Sequence, residues 1–156
     1  MRNFSPENLD PPRPGTTHSP QPQPPSSAEN GTGLRILMAE DNAINQRVGQ
    51  LILKRAGFTV DLVNDGRQAL EAHRQTPYDL ILMDCQMPVM DGFEASRNIR
   101  SLDRPQPVII AVTANALLGE REKCLEAGMD DYLSKPFQAD QLVSLIKKWG
   151  SIKLGE

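Results

Sequence analysis

Five short apolar runs alternate with five stretches patterned for helices, and that alternation limits the fold more than any other feature of the chain. RILMA (35–39), TVDLVN (59–64), DLILM (79–83), PVIIAV (107–112) and DYLS (131–134) read as strands. Helical spacing of apolar residues fills the intervals 42–57, 66–75, 92–101, 115–128 and 138–149. Gly57 and Gly128 follow the last periodic residues of two of these and suit C-terminal caps, while Asp65 gives the second helix an acidic start. Strict alternation of this kind predicts an α/β fold with a parallel sheet and helices on both faces. The strands read apolar throughout because both of their faces are covered.

The N-terminal part has a different texture. Eight of the 13 prolines precede residue 33, and TTHSPQPQPPSSAENGTG (16–33) has almost nothing to bury. Such a segment cannot offset its ordering entropy, so 1–33 is expected to be a disordered or partly extended proline-rich linker or tail. The globular domain is expected over 34–150, with a short tail at 151–156. The first residues carry no apolar signal core, and no run reaches the roughly 18 apolar residues that cross a bilayer. With two cysteines, Cys85 and Cys124, the chain is expected to be cytoplasmic and reduced, with both thiols as small core residues. A net charge of −3 gives no basic surface to suggest nucleic-acid binding.

Chemistry gathers at the strand ends. In a doubly wound sheet, functional groups collect at the carboxyl ends of the strands. The first strand runs into Glu40 and Asp41, the third into Asp84, the fourth ends near Thr113, and the fifth leads to Lys135. Taken singly, each has an ordinary explanation: a helix cap, a strand threonine, a solvated lysine. Taken together they predict one crevice. Three carboxylates about 4–5 Å apart repel by roughly 3–4 kcal/mol per pair at an effective dielectric near 20. A hard divalent cation removes that penalty, and magnesium suits oxygen ligands shared with a phosphate. Lys135 and Thr113 then face an anion, and a carboxylate can serve as nucleophile in phosphoryl transfer. Within LILMDCQMPVMDG (80–92), the apolar run fixes Asp84 at the sheet edge, Pro88 stiffens the loop, and Asp91-Gly92 turns into the next helix. Met87 and Met90 are expected to pack beneath or beside that loop.

AEDNAINQ, LILMDCQMPVMDGFEA, AVTANA and GMDDYLSKPF, in this order and spacing, resemble the receiver domain of bacterial two-component response regulators over about 34–149. The resemblance implies a flavodoxin-like (βα)5 sheet of order 2-1-3-4-5. It makes Asp84 the phosphoacceptor. Asp41, Asp84 and the Gln86 backbone carbonyl would bind magnesium, or manganese in its place, with Glu40 acting through a coordinated water. Thr113 and Lys135 would contact the phosphoryl oxygens, Tyr132 matches the aromatic switch position, and the Lys135–Pro136 bond would be cis. Gln86 and Asn115 flank the site. Such a domain catalyses only its own phosphorylation and dephosphorylation.

DNAINQ, DCQMPVMDG and AVTANA are similar to receivers attached to hybrid sensor histidine kinases. Neither His18 nor His73 lies in a phosphoacceptor-histidine helix pattern, and no output region follows, so the C-terminal receiver of a hybrid kinase (EC 2.7.13.3) is the expectation. A free-standing single-domain regulator is the alternative. The implied partner is a histidine kinase or histidine phosphotransfer domain, without nucleic acid or direct membrane contact, the parent kinase itself being a candidate for a membrane anchor. Other classes fit less well. A haloacid-dehalogenase-type phosphatase needs D-x-D after its first strand, whereas here Asp84 follows the third and Gln86 takes the second acid's place. A pure interaction module derived from this fold would lack a key acid or the lysine, and no phosphate-binding G-x-x-x-x-G-K-[ST] loop appears. On the first helix, Val48, Gly49, Ile52 and Ala56 are expected to face the sheet, with Leu53 at one margin. Ile44 and Leu51, beside Arg47 and Arg55, are expected to form an exposed patch that docks a histidine-bearing helical partner.

Overall fold

The computed structural model describes residues 33–114 and 118–154, so the linker assigned to 1–33 (except Gly33) and Asn115 lie outside the described residues. Five strands, β1 (Ile36–Ala39), β2 (Val60–Val63), β3 (Leu80–Asp84), β4 (Val108–Thr113) and β5 (Asp131–Ser134), form one sheet in the order β2-β1-β3-β4-β5. Every pairing is parallel. The connecting helices are α1 (Ala43–Arg55), α2 (Gly66–Gln75), α3 (Gly92–Arg100), α4 (Leu118–Glu126) and α5 (Ala139–Leu154). This is the flavodoxin-like arrangement expected from the alternation and the resemblance.

The period-2 geometry of a strand divides the core in two. Leu37, Ile81, Met83, Ile109 and Ala111 point to one face, where Ala69 and Leu70 of α2, Ala95 and Ile99 of α3 and Cys124 of α4 cover them. Ile36, Met38, Leu80, Leu82 and Ile110 point to the other, beneath Leu53 of α1 and Leu142 and Ile146 of α5. Three helix starts are capped by short polar side chains: Asn42 accepts from the Ile44 and Asn45 amides, Asp65 from Gln68, and Asp91 from Glu94. Gly57 and Gly128 both adopt φ +94°, a left-handed conformation in which glycine is unstrained.

Two elements depart from expectation. Helix α5 does not stop at Trp149 but continues to Leu154, through the boundary placed at 150/151. Its last turns are held: Gly150 lies against Leu34, and the Lys153 ammonium donates to the Gln106 carbonyl. On α1, Gly49 is buried and Ile52 and Ala56 pack against the core as expected, with Leu53 buried beside them, whereas Val48 is 37% exposed. Leu53, expected at one margin, is fully buried, and Val48 is the position that departs from the expected stripe. Asn45, one turn before Gly49, and Gln46 beside it both reach the residue after β1. Ile44 and Leu51 remain exposed at 73% and 47%, as anticipated.

Candidate functional site

Each strand delivers its terminal side chain to the same edge. Glu40 follows β1, Asp84 is the last residue of β3, Thr113 the last of β4, and Lys135 comes directly after β5. Glu40 and Asp84 are only 1% and 3% exposed, Thr113 is buried too, and Asp41 stands at the rim in solvent. Ligand atoms of Glu40, Asp41 and Asp84 all lie within 4.8 Å of one another. The cap of α1 is Asn42, so the Asp41 carboxylate is left to the crevice and does not serve as the helix cap.

Lys135 Nζ lies 3.0 Å from Asp84 Oδ2 and 3.2 Å from Glu40 Oε1. The ammonium thus sits on the acids themselves, bridging two of the three. Burial alone would lower its pKa, but the hydrogen bond and charge of Asp84, followed by those of Glu40, outweigh that and raise it. Lys135 therefore stays charged. Burial, then the Asp84 charge, pushes the Glu40 carboxyl above its ordinary value; the Asn42 amide and Lys135 pull the other way. Asp84 Oδ1 accepts from the Gln86 amide at 3.0 Å, which fixes its second oxygen.

Glu40 Oε1 is buried and makes no hydrogen bond, its contact with Lys135 being an ion pair without hydrogen-bond alignment. A buried, unsatisfied carboxylate oxygen is costly unless something else takes its lone pair. With a donor set made only of oxygens, the cluster is able to hold a metal ion, and a hard cation matches it best.

The surrounding loops shape the crevice. The Gly92 amide bonds to the Cys85 carbonyl at 3.1 Å, and a Cβ at Gly92 would fall 2.2 Å from the Asp84 carbonyl oxygen. Only glycine permits that approach of α3 to the end of β3. Met87 and Met90 pack against the core beneath the loop, as expected. Val89 takes φ +71°, strained for a β-branched residue. The Lys135–Pro136 bond is cis, as the resemblance implied. Tyr132 is partly buried and lies under the Arg121 guanidinium of α4, 5.5 Å from its ring centroid. Both cysteines are buried and unpaired by disulfide, and burial raises both thiols above their usual range.

Sequence reasoning placed Glu40, Asp41, Asp84, Thr113 and Lys135 at one edge, and the structure brings them together. It gave no site role to Asn45, Gln46, Asn64 or Arg121. Gln46 Nε2 donates to the Glu40 carbonyl at 2.6 Å and to Asn64 Oδ1 at 2.7 Å, tying the loops after β1 and β2. The available signal was a polar pair, Asn45-Gln46, on the first turn of a helix that otherwise faces a core.

Known proteins share this architecture. The family model for the response regulator receiver domain matches residues 36–147. Hybrid signal transduction histidine kinase B of Dictyostelium discoideum is 42% identical over 127 residues, 73% of this chain and 6% of that protein. The chain thus spans a small fraction of the curated relatives it matches. Among solved structures, the receiver domain of sensor histidine kinase PA1611 from Pseudomonas aeruginosa, with magnesium coordinated in its active-site cleft, is 47% identical with a TM-score of 0.71; the match covers 76% of this chain and 98% of that one. The receiver of the Saccharomyces cerevisiae response regulator Ssk1, solved with the histidine phosphotransfer protein Ypd1, is 30% identical with a TM-score of 0.72 and covers 77% and 90%. The family model, the sequence relatives and the fold converge: this chain belongs to the response regulator receiver domain family.

Proposed function

We propose that this chain is the phosphoacceptor module of a phosphorelay within a cytoplasmic part of a hybrid sensor histidine kinase. Asp84 takes a phosphoryl group from a phosphohistidine on a histidine kinase or histidine phosphotransfer domain. The observation that carries this reading is the buried Asp84 carboxylate at a strand end, with two further acids within 4.8 Å and an ammonium at 3.0 Å. In the transfer, an Asp84 oxygen attacks phosphorus, the P–N bond to imidazole breaks, and an acyl phosphate forms.

The chain's own residues set up that step. The sheet and the Gln86 amide hold Asp84 in one orientation, and the Lys135 ammonium pairs with its other oxygen at 3.0 Å. Thr113 and Lys135 stand at the neighbouring strand ends, placed to contact phosphoryl oxygens. Asp41, Asp84 and the Gln86 carbonyl would hold magnesium, or manganese in its place, with Glu40 acting through water; the unsatisfied Glu40 Oε1 fits that role. When bound, the cation supplies neutralisation of the clustered negative charge. Phosphorylation then draws Thr113 inward and lets Tyr132 turn, a local charge event that biases a two-state element. Ile44, Arg47, Leu51 and Arg55 on α1 present an exposed apolar patch rimmed by arginine, suited to a helical partner carrying the histidine.

Incubation with magnesium and acetyl phosphate tests the assignment. One hydroxylamine-labile phosphoryl group should form on Asp84, and Asp84→Asn should abolish it while keeping the fold. Labelling of that variant at the wild-type rate would overturn the assignment.

A further inference from the structure

Glu40 reaches the acid cluster on a side chain one methylene longer than those of Asp41 and Asp84. The extra rotatable bond has to be held if the carboxylate is to face the cluster. The first turn of α1 holds it. Glu40 Oε2 accepts from the Asn42 backbone amide at 3.1 Å and from Asn45 Nδ2 at 3.4 Å. In a capping box the third helical residue reaches back to the cap amide. Here Glu40 takes that amide itself, and the third helical residue, Asn45, donates to the same oxygen. With Oε2 engaged on the helix, Oε1 is left without a hydrogen bond, 3.2 Å from the Lys135 ammonium that also pairs with Asp84.

Lys135 is the other tie on Glu40, at 3.2 Å from Oε1 and 3.5 Å from Oε2. It is also the group placed to meet an incoming phosphoryl oxygen. Once it turns to that task, the two bonds to the start of α1 remain as the hold on Glu40. One of these is a backbone amide; the other is the Asn45 side chain.

We infer that Asn45 is a positioning residue of the cation site, locking Glu40 Oε2 so that Oε1 faces the metal through its water. This rests on the reading of Glu40, Asp41 and Asp84 as that site. It also gives DNAINQ a physical meaning: Asn42 caps the helix, Asn45 holds the Glu40 carboxylate, and Gln46 holds its carbonyl.

The full chain, titrated with magnesium chloride in a calorimeter, separates the possibilities. Asn45→Ala should weaken magnesium binding about tenfold, the lower end of what outer-shell partners of a metal ligand contribute. Alanine is the better helix former, so the thermal midpoint should stay level or rise, which a merely structural role would not allow. Glu40→Gln should weaken binding at least as much, and adding Asn45→Ala to it should change nothing further. If Asn45→Ala binds like wild type while Glu40→Gln is weakened, the inference fails and the cation site stands. An equal loss from Asn45→Ala in both backgrounds would show that Asn45 acts elsewhere and overturn it. Undiminished binding by Glu40→Gln would remove Glu40 from the site and the inference with it.

Discussion

The two ends of the sheet treat charge in opposite ways. At the amino ends of the strands, Arg100 donates to the carbonyls of Gly128 and Pro107 at 2.8 and 2.7 Å, to Gln106 Oε1 at 3.0 Å and to Asp130 Oδ2 at 2.8 Å. The same Asp130 oxygen accepts from the Ile109 amide at 2.9 Å. One cation and one anion thereby join α3, the loop before β4 and the loop before β5. At the carboxyl ends, three acids share a crevice with one lysine, a buried carboxylate oxygen has no hydrogen bond, and Val89 is held in a strained conformation. The amino end uses its charges to fasten loops. The carboxyl end leaves its charges short of partners, which is what a site for a cation and a phosphoryl group requires.

Substitutions at the two ends should therefore fail differently. The largest effect is expected outside both polar clusters, on α1. Leu51→Asp should slow phosphotransfer from a phosphohistidine protein by at least roughly thirtyfold, the loss of one well-buried interface contact. Labelling by acetyl phosphate and the urea midpoint should not move. Parallel loss of both reactions would make Leu51 part of the site's own framework.

At the amino end, Arg100→Ala removes four hydrogen bonds and leaves Asp130 half paired. The residues are a quarter to a third exposed, so the charge contribution is discounted, and a loss of about 2–3 kcal/mol in chemical denaturation is expected. Acetyl phosphate labelling of the folded variant should be unchanged, and a slower rate would blur the division between the ends. Gly92→Ala should do what Arg100→Ala does not. Its methyl would meet the Asp84 carbonyl, so stability should fall by about 1–3 kcal/mol and labelling should fall with it. Loss of stability without loss of labelling would show that α3 does not set the position of Asp84.

The smallest effect is a pH dependence at the amino end. His73 is buried. Its Nδ1 accepts from the Tyr78 amide at 3.0 Å, leaving Nε2–H to face the Pro105 carbonyl at 3.3 Å. Burial lowers its pKa below 6.5; the Pro105 carbonyl opposes this, and the charges of Arg104, Lys153 and Arg100 add to it. The unfolded chain therefore binds the proton first. The stability contributed by neutral His73 is complete above pH about 6.5 and is lost as pH falls toward the lowered value, with a slope of at most about 1.4 kcal/mol per unit. Urea unfolding of wild type against His73→Gln between pH 7.5 and 5 should show the two curves diverging only below that point. Curves parallel throughout would mean that His73 accepts a proton in the folded state without cost.

Much of this was legible in residue order. A buried parallel strand must be apolar on both faces, so five such runs separated by helix-length intervals announce the sheet. The carboxyl end of each strand is then the residue after the run, which is how Asp84 and Lys135 stand out. Helix α5 was harder to bound, because Gly150 resembles a stop until Leu34 is seen packed against it.

What the chain determines by itself is thus the list of elements and the residue that ends each strand, because both follow from local periodicity. What only the tertiary structure decides is partnership. The apolar pattern of α1 does not register that Asn45 and Gln46 reach the residue after β1. That Lys135 sits on Glu40, 95 residues away, and Arg121 over Tyr132, depends on how β1, α4 and β5 are brought together in space. Contacts between distant residues are set by packing the whole sheet, and no local pattern encodes them.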